Sequence, residues 1–135
     1  MKNNLFLFEI ISIDGKKMSC EISELNVKTP SGMIGILKNH YPLISFIDIS
    51  TFNIVVNNKR GYYAVSGGVL NVKKEKVVIL CDTFESETEI DKDRQLQKKE
   101  IAIDILNNTK KYDSLDLARA ERSLKKAINR LSLIK

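Results

Sequence analysis

YYAVSGGVLNVKKEKVVILCDTFESETEIDKD, residues 62–93, changes its period partway along. Its first part holds three short β-branched runs, 62–65, 69–72 and 77–81. Ser66-Gly67-Gly68 and Lys73-Lys74-Glu75-Lys76 lie between them and read as turns. Short strands with glycine-rich or charged breaks argue for an antiparallel sandwich or barrel. After an acidic series, Glu85, Glu87, Glu89, Asp91 and Asp93, the pattern becomes helical. Asp91 is a good N-cap, and Asp93 puts negative charge in the first turn, where the helix dipole favours it.

Toward the N-terminus the period of two continues. Residues 2–13 are β-rich, with Phe6, Phe8 and Ile10 in alternation, and Asp14-Gly15 follows as a tight-turn signal. Met18, Cys20 and Ile22 alternate again. Thr29-Pro30-Ser31-Gly32 and Asn39-His40-Tyr41-Pro42 each supply a proline with fixed φ, and the first adds a glycine for positive φ. Ile54-Val55-Val56 is a further strand signal, closed by the turn material Asn57-Asn58-Lys59-Arg60-Gly61.

Toward the C-terminus, Leu96, Ile103 and Leu106 recur at helical spacing, with Ala102 and Ile105 beside them. Residues 107–112 break the pattern and Asp113-Ser114 restarts it with a second cap. Leu117, Ala120, Leu124, Ala127, Ile128 and Leu131 then form an apolar stripe. Two short helices with a brief connection make an αα-hairpin, which is marginal alone in water and must dock on something. Two docking surfaces would make it a switch, and one would make it a fixed appendage. The predicted class is α+β in two domains: an antiparallel β domain over 1–84 and a two-helix antiparallel hairpin over 85–135.

The chain has 135 residues, 43% hydrophobic and 29% charged, which excludes collagen-like, low-complexity and disordered classes. Its apolar runs fall far short of the roughly 20 residues a membrane helix needs. The N-terminal run is broken by Glu9 and lacks a small-residue cleavage site, so no export signal is expected. Cys20 and Cys81 read as reduced, buried thiols. One histidine and no CxxC leave a structural zinc site without ligands.

The net charge of +5 is unevenly spread. Residues 1–89 hold ten basic and ten acidic side chains, and residues 90–135 hold twelve and seven. On the second helix Arg119, Arg122, Lys126 and Arg130 step by three or four, with Lys125 alongside, forming a cationic flank. Such a flank suits an acidic partner. Catalytic signatures are missing. The acidic series has no nucleophile or ligand beside it and reads as solvated charge. Ser66-Gly67-Gly68 lacks the Lys-Ser/Thr of a phosphate loop. His40 has no paired nucleophile and reads as a turn or contact residue.

Six segments, in order, carry a family resemblance. They are Thr29-Pro30-Ser31-Gly32-Met33-Ile34-Gly35-Ile36-Leu37, then Asn39-His40-Tyr41-Pro42, then residues 63–72 (YAVSGGVLNV). Residues 77–82 (VVILCD), Ile90-Asp91-x-x-Arg94 and Ala127-Ile128-Asn129-Arg130-Leu131 complete the set. Over nearly its whole length the chain resembles the epsilon subunit of bacterial F-type ATP synthase, with Lys38 where that family usually has proline. The resemblance implies a β-sandwich of about ten strands, followed by the hairpin. It implies a non-catalytic central-stalk subunit that binds the gamma subunit and the membrane c-ring. Ser31, Gly32 and Met33 on one loop, and Asn39, His40, Tyr41 and Pro42 on the other, would face the ring. Arg119, Arg122, Lys125, Lys126 and Arg130 would meet the catalytic beta subunits and inhibit hydrolysis.

The resemblance further implies no required cofactor, with ATP as a regulatory ligand in some members. Glu85, Ile90, Asp91, Arg94, Lys126 and Arg130 are the matching positions. Three departures stand out. Gln95 replaces alanine, Ile101 replaces an arginine, and Lys126 replaces an arginine whose planar fork lysine cannot reproduce on phosphate. The expected location is the cytoplasmic face of the cell membrane, reached through the c-ring, without a homo-oligomer. The rival readings are an epsilon-like subunit of a specialised F-type-like ATPase and a nucleic-acid-binding module. The neutral β half and the lack of aromatics among the basic residues count against the second.

Overall fold

A computed structural model describes residues 4–134. Lys2 and Asn3 of the predicted first strand, and Lys135 of the basic segment, lie outside the described residues. Eight strands come first: β1 Phe6–Ser12, β2 Lys17–Ile22, β3 Glu24–Thr29, β4 Gly32–Ile36, β5 Leu43–Val56, β6 Lys59–Val72, β7 Lys76–Cys81 and β8 Phe84–Ser86. A 3-10 turn at Glu87–Glu89 leads to α1 Lys92–Leu106 and α2 Ser114–Leu133. Two compact units result, 1–86 and 87–135.

The strands hydrogen-bond in the order β2-β1-β7-β6-β5-β3-β4, with β8 also on β6. Every pairing is antiparallel except β1 with β7, which is parallel from Leu7↔Lys76 to Ser12↔Cys81. The 14-residue strands β5 and β6 pair from Leu43↔Val72 to Val56↔Lys59 and serve both layers of the sandwich. Near one end β6 pairs with β7, at Gly68↔Cys81 through Val72↔Val77. Near the other, β5 pairs with β3 and β6 with β8.

The count of eight corrects the expected ten or so. Residues 62–65 and 69–72 are one strand, because Ser66-Gly67-Gly68 bends β6 without ending it. Gly67 takes φ +86, and a Cβ on Gly68 would run into the Leu80 carbonyl and lie 2.8 Å from Cys81 Cα. Glycine lets one strand pass this closely against another. Ser66 N–H still donates to Thr83 O at 3.0 Å, and Asp82 N–H donates to Gly67 O at 3.1 Å. The other turn signals act locally. Gly15 has φ +96 between β1 and β2, while Asn57 and Asn58, at φ 53 and 65, make the two-residue turn between β5 and β6.

Alternate residues of both layers point inward. Phe8, Ile10, Leu25, Val27, Phe52, Leu70, Val72, Val77 and Ile79 are essentially fully buried. Phe8 of β1 meets Phe52 of β5 with ring centroids 5.9 Å apart, and Phe52 stacks on Tyr63 at 5.1 Å. Each such side chain contributes about 1.5–3 kcal/mol. The hairpin differs. Among the described residues its fully buried apolar side chains are Ala102, Ala120 and Ala127, with Leu106, Leu117, Leu124 and Leu131 half-buried. The sandwich has a core of its own, while the hairpin closes on a thin seam.

Candidate interaction surfaces and the hairpin interior

The first expected surface is the pair of loops around β4. Pro30 and Ser31 form the turn from β3 to β4, where Thr29 Oγ1 accepts from Ser31 N–H at 3.2 Å, and Gly32 opens β4 at φ +115. Met33 is 60% exposed. Asn39 to Pro42 lie past the other end of β4, so the two sets are separated by a five-residue strand, roughly 13 Å or more at the usual rise. The second loop is well braced. Asn39, at φ 69, donates its N–H to Lys74 O, and His40 packs on Tyr41 with ring centroids 4.7 Å apart. Tyr41 is left 73% exposed on this rigid support.

A third apolar surface adjoins that loop and is one the sequence reading missed. Phe46 of β5 pairs with Val69 of β6, Val69 with Leu80 of β7, and Leu80 with Ile11 of β1. Residues in register across neighbouring strands share a face. This row therefore crosses four strands on the outer side, with Ile44 beside it. Phe46 and Ile44 are both 73% exposed. The signal was present in Leu43-Ile44-Ser45-Phe46-Ile47, where both alternating faces are apolar. A strand with one solvated face reads apolar-in, polar-out, so an apolar outer face marks a covered surface.

In the second unit both predicted caps form. Asp91 accepts from Arg94 N–H at 3.1 Å, and Asp113 accepts from Asp116 N–H at 2.8 Å. The inward face of α1 differs from the expected one. Gln95 and Ala102 are buried, while Leu96 and Ile103 keep 40% and 38% of their surface exposed. Facing them, α2 buries Ala120, Ala127 and Arg130. Steps of seven along each helix, 95 to 102 and 120 to 127, place small or slender side chains on the seam. Arg119, Arg122 and Lys125 are exposed and Lys126 is half-buried, but Arg130 is only 8% exposed. Its Nη1 donates to Gln95 Oε1 across the hairpin at 3.4 Å.

The residues anticipated for ATP are thus distributed. Glu85 belongs to β8 in the first unit, while Ile90, Asp91, Arg94, Lys126 and Arg130 belong to the second. The antiparallel hairpin brings Asp91, Arg94, Lys126 and Arg130 to one end. There the Asp91 carboxylate caps α1, and the Arg130 guanidinium turns into the seam against a buried amide. A phosphate cradle needs guanidinium donors aimed outward at the ligand. One Arg130 donor is spent on Gln95 within the seam. Among the described residues, no group of three or more His, Cys, Asp or Glu side chains could hold a metal. An open cleft of about 430 Å³ at the β5–β6 tip is lined by Lys59, Arg60 and Tyr63 among others. Cys81 is buried, which pushes its thiol up to about 12, with Asp82, Asp14 and Glu85 adding to the shift. Burial raises Cys20 as well.

Comparison with known proteins agrees with the two-unit division. Residues 5–87 match the ATP synthase delta/epsilon chain β-sandwich domain, and residues 88–135 match the long α-helix domain of the same chain. The chain is 36% identical over 124 residues to the ATP synthase epsilon chain of Bacillus velezensis, covering 92% of each. It is 37% identical over 127 residues to that of Desulfitobacterium hafniense, covering 94% of each. Its fold is like a chain of the Euglena gracilis mitochondrial ATP synthase OSCP/F1/c-ring structure, with a TM-score of 0.81 at 16% identity, covering 98% of this chain and 82% of that one. A chain of the Tetrahymena thermophila mitochondrial ATP synthase central stalk and c-ring is similar at a TM-score of 0.61 and 10% identity, over all of both chains. With both halves matched in order and full-length relatives at this identity, the chain belongs to the epsilon chains of the F-type ATP synthases.

Proposed function

We propose that this chain is a non-catalytic rotor subunit of the central stalk, fixed by its sandwich and regulatory through its hairpin. The observation that carries the reading is the apolar row Phe46–Val69–Leu80–Ile11 on a rigid sheet. A face of this kind is unfavourable in water and favourable against a partner's apolar surface. It docks on the gamma subunit, and the braced loop with Tyr41 and the Met33 turn reach the c-ring. A sheet transmits torque between such contacts because its core packs at crystal-like density and resists shear. The exposed cations Arg119, Arg122 and Lys125 approach acidic segments of the beta subunits and restrain hydrolysis. Exposed charges contribute little singly, so the array matters more than any member. The subunit needs no cofactor for this work, and it sits peripherally on the cytoplasmic face of the cell membrane through the c-ring. Among the described residues, no helix is long and apolar enough to cross a membrane.

The test is reconstitution of the complex with Phe46→Glu and Leu80→Glu combined. Both side chains are exposed, so the isolated chain keeps its circular dichroism, and co-purification with gamma and the c-ring is lost. Undiminished co-purification would overturn the docking face. Deleting residues 87–135 should raise ATP hydrolysis by the reconstituted complex, and an unchanged rate would remove the hairpin's role as a brake.

A further inference from the structure

We infer that Gln95 and Arg130 form a built-in latch that closes the hairpin without a nucleotide, so that its folded form does not depend on ATP. Among the described residues of the hairpin these are the two buried polar side chains, at 6% and 8% exposure. They stand opposite each other, Gln95 in the first turns of α1 and Arg130 in the last turn of α2. That is the open end of the hairpin, away from the connection at residues 107–113. Helix pairs fray from such an end. The other fully buried side chains of the seam are alanines, with Leu106, Leu117, Leu124 and Leu131 half-buried beside them. At this open end the amide and the guanidinium are the buried polar contact that must break before the helices part.

The physical basis is the asymmetry of buried hydrogen bonds. The bond at 3.4 Å is long, and its own strength is modest. Opening it inside the seam, however, strands a carboxamide that has left water and takes a buried acceptor from the guanidinium. The Gln95 carboxamide presents Oε1 to the guanidinium as a neutral acceptor and needs no diffusible partner. A phosphate reaching for Arg130 must first displace that amide. The latch stands on the hairpin's geometry. Its regulatory consequence, a brake whose folded state ignores the energy charge of the cell, rests on the function proposed above.

Hydrogen exchange on the full chain tests it. Gln95→Met keeps the volume and removes the acceptor, and exchange in both helices should quicken about tenfold while the sandwich is unaffected. Gln95→Glu keeps an acceptor and should hold wild-type protection. Millimolar ATP should leave wild-type exchange unchanged. Wild-type rates in Gln95→Met, a Gln95→Glu variant as fast as Gln95→Met, or slowing of the wild-type hairpin by ATP would each overturn the latch. The hydrolysis assay on the complex lacking residues 87–135 reports on the brake separately, so either idea can fail without the other.

Discussion

Gly68 has no room for a side chain. A methyl group there would press on the backbone of Leu80 and Cys81, which a rigid strand cannot yield. Gly68→Ala should lower stability by about 2–3 kcal/mol, read as a fall in the urea midpoint at constant slope. Glu24 offers a pH test. Its carboxylate accepts from Asn26 Nδ2 at 2.6 Å and lies 3.4 Å from Arg60 Nη1, and these partners, Asn26 foremost, hold its pKa below the ordinary carboxylate value. A depressed carboxylate stabilises the fold above its unfolded pKa, and that contribution is lost as pH falls through the folded one. The melting temperature should therefore drop on acidification below about pH 4, and Glu24→Gln should flatten that part of the profile. Cys81, with its thiol held near 12, should resist alkylation at pH 8 in the native chain and react fully in urea. Burial of Cys81 was legible from its apolar run. The narrow space at Gly68 was not, because it is made by a strand distant in the chain.

At the scale of elements, what is local was legible and what depends on a partner was not. Asp91 and Asp113 cap their helices as their side chains and neighbours imply. Asp113→Ala should cost about 1 kcal/mol and reduce the ellipticity at 222 nm near the midpoint, with Asp113→Ser recovering most of it. The Asp14-Gly15 turn was equally readable. Ser66-Gly67-Gly68 was not, since two glycines signal a turn and a bend equally well, and the hydrogen bonds to Thr83 and Asp82 decide between them. The seam of α1 was misjudged for a related reason. Leu96 and Ile103 are the larger apolar residues, but Gln95 and Ala102 face α2, where slender side chains let two helices close together. The outer row from Phe46 to Ile11 escaped because it is assembled from four strands and no single one displays it.

The whole molecule divides into a unit with a large buried core and a unit whose apolar residues are mostly half-buried. Truncation after Ser86 should leave the sandwich folded, with its β signal retained and its melting temperature moved by no more than a few degrees. The order of the strands adds a consequence in time. The parallel partner of β1 is β7, so the sheet's interior is completed by residues some seventy positions apart, Leu7 with Lys76 and Ser12 with Cys81. During synthesis the opening hairpin has only β2 beside it, and one flank waits until the end of the sandwich has left the ribosome. Closing so long a loop before any reward arrives makes folding slow. Over that interval the nascent chain presents a bare, apolar strand edge, and it is then, rather than in the finished subunit, that it is most vulnerable to aggregation.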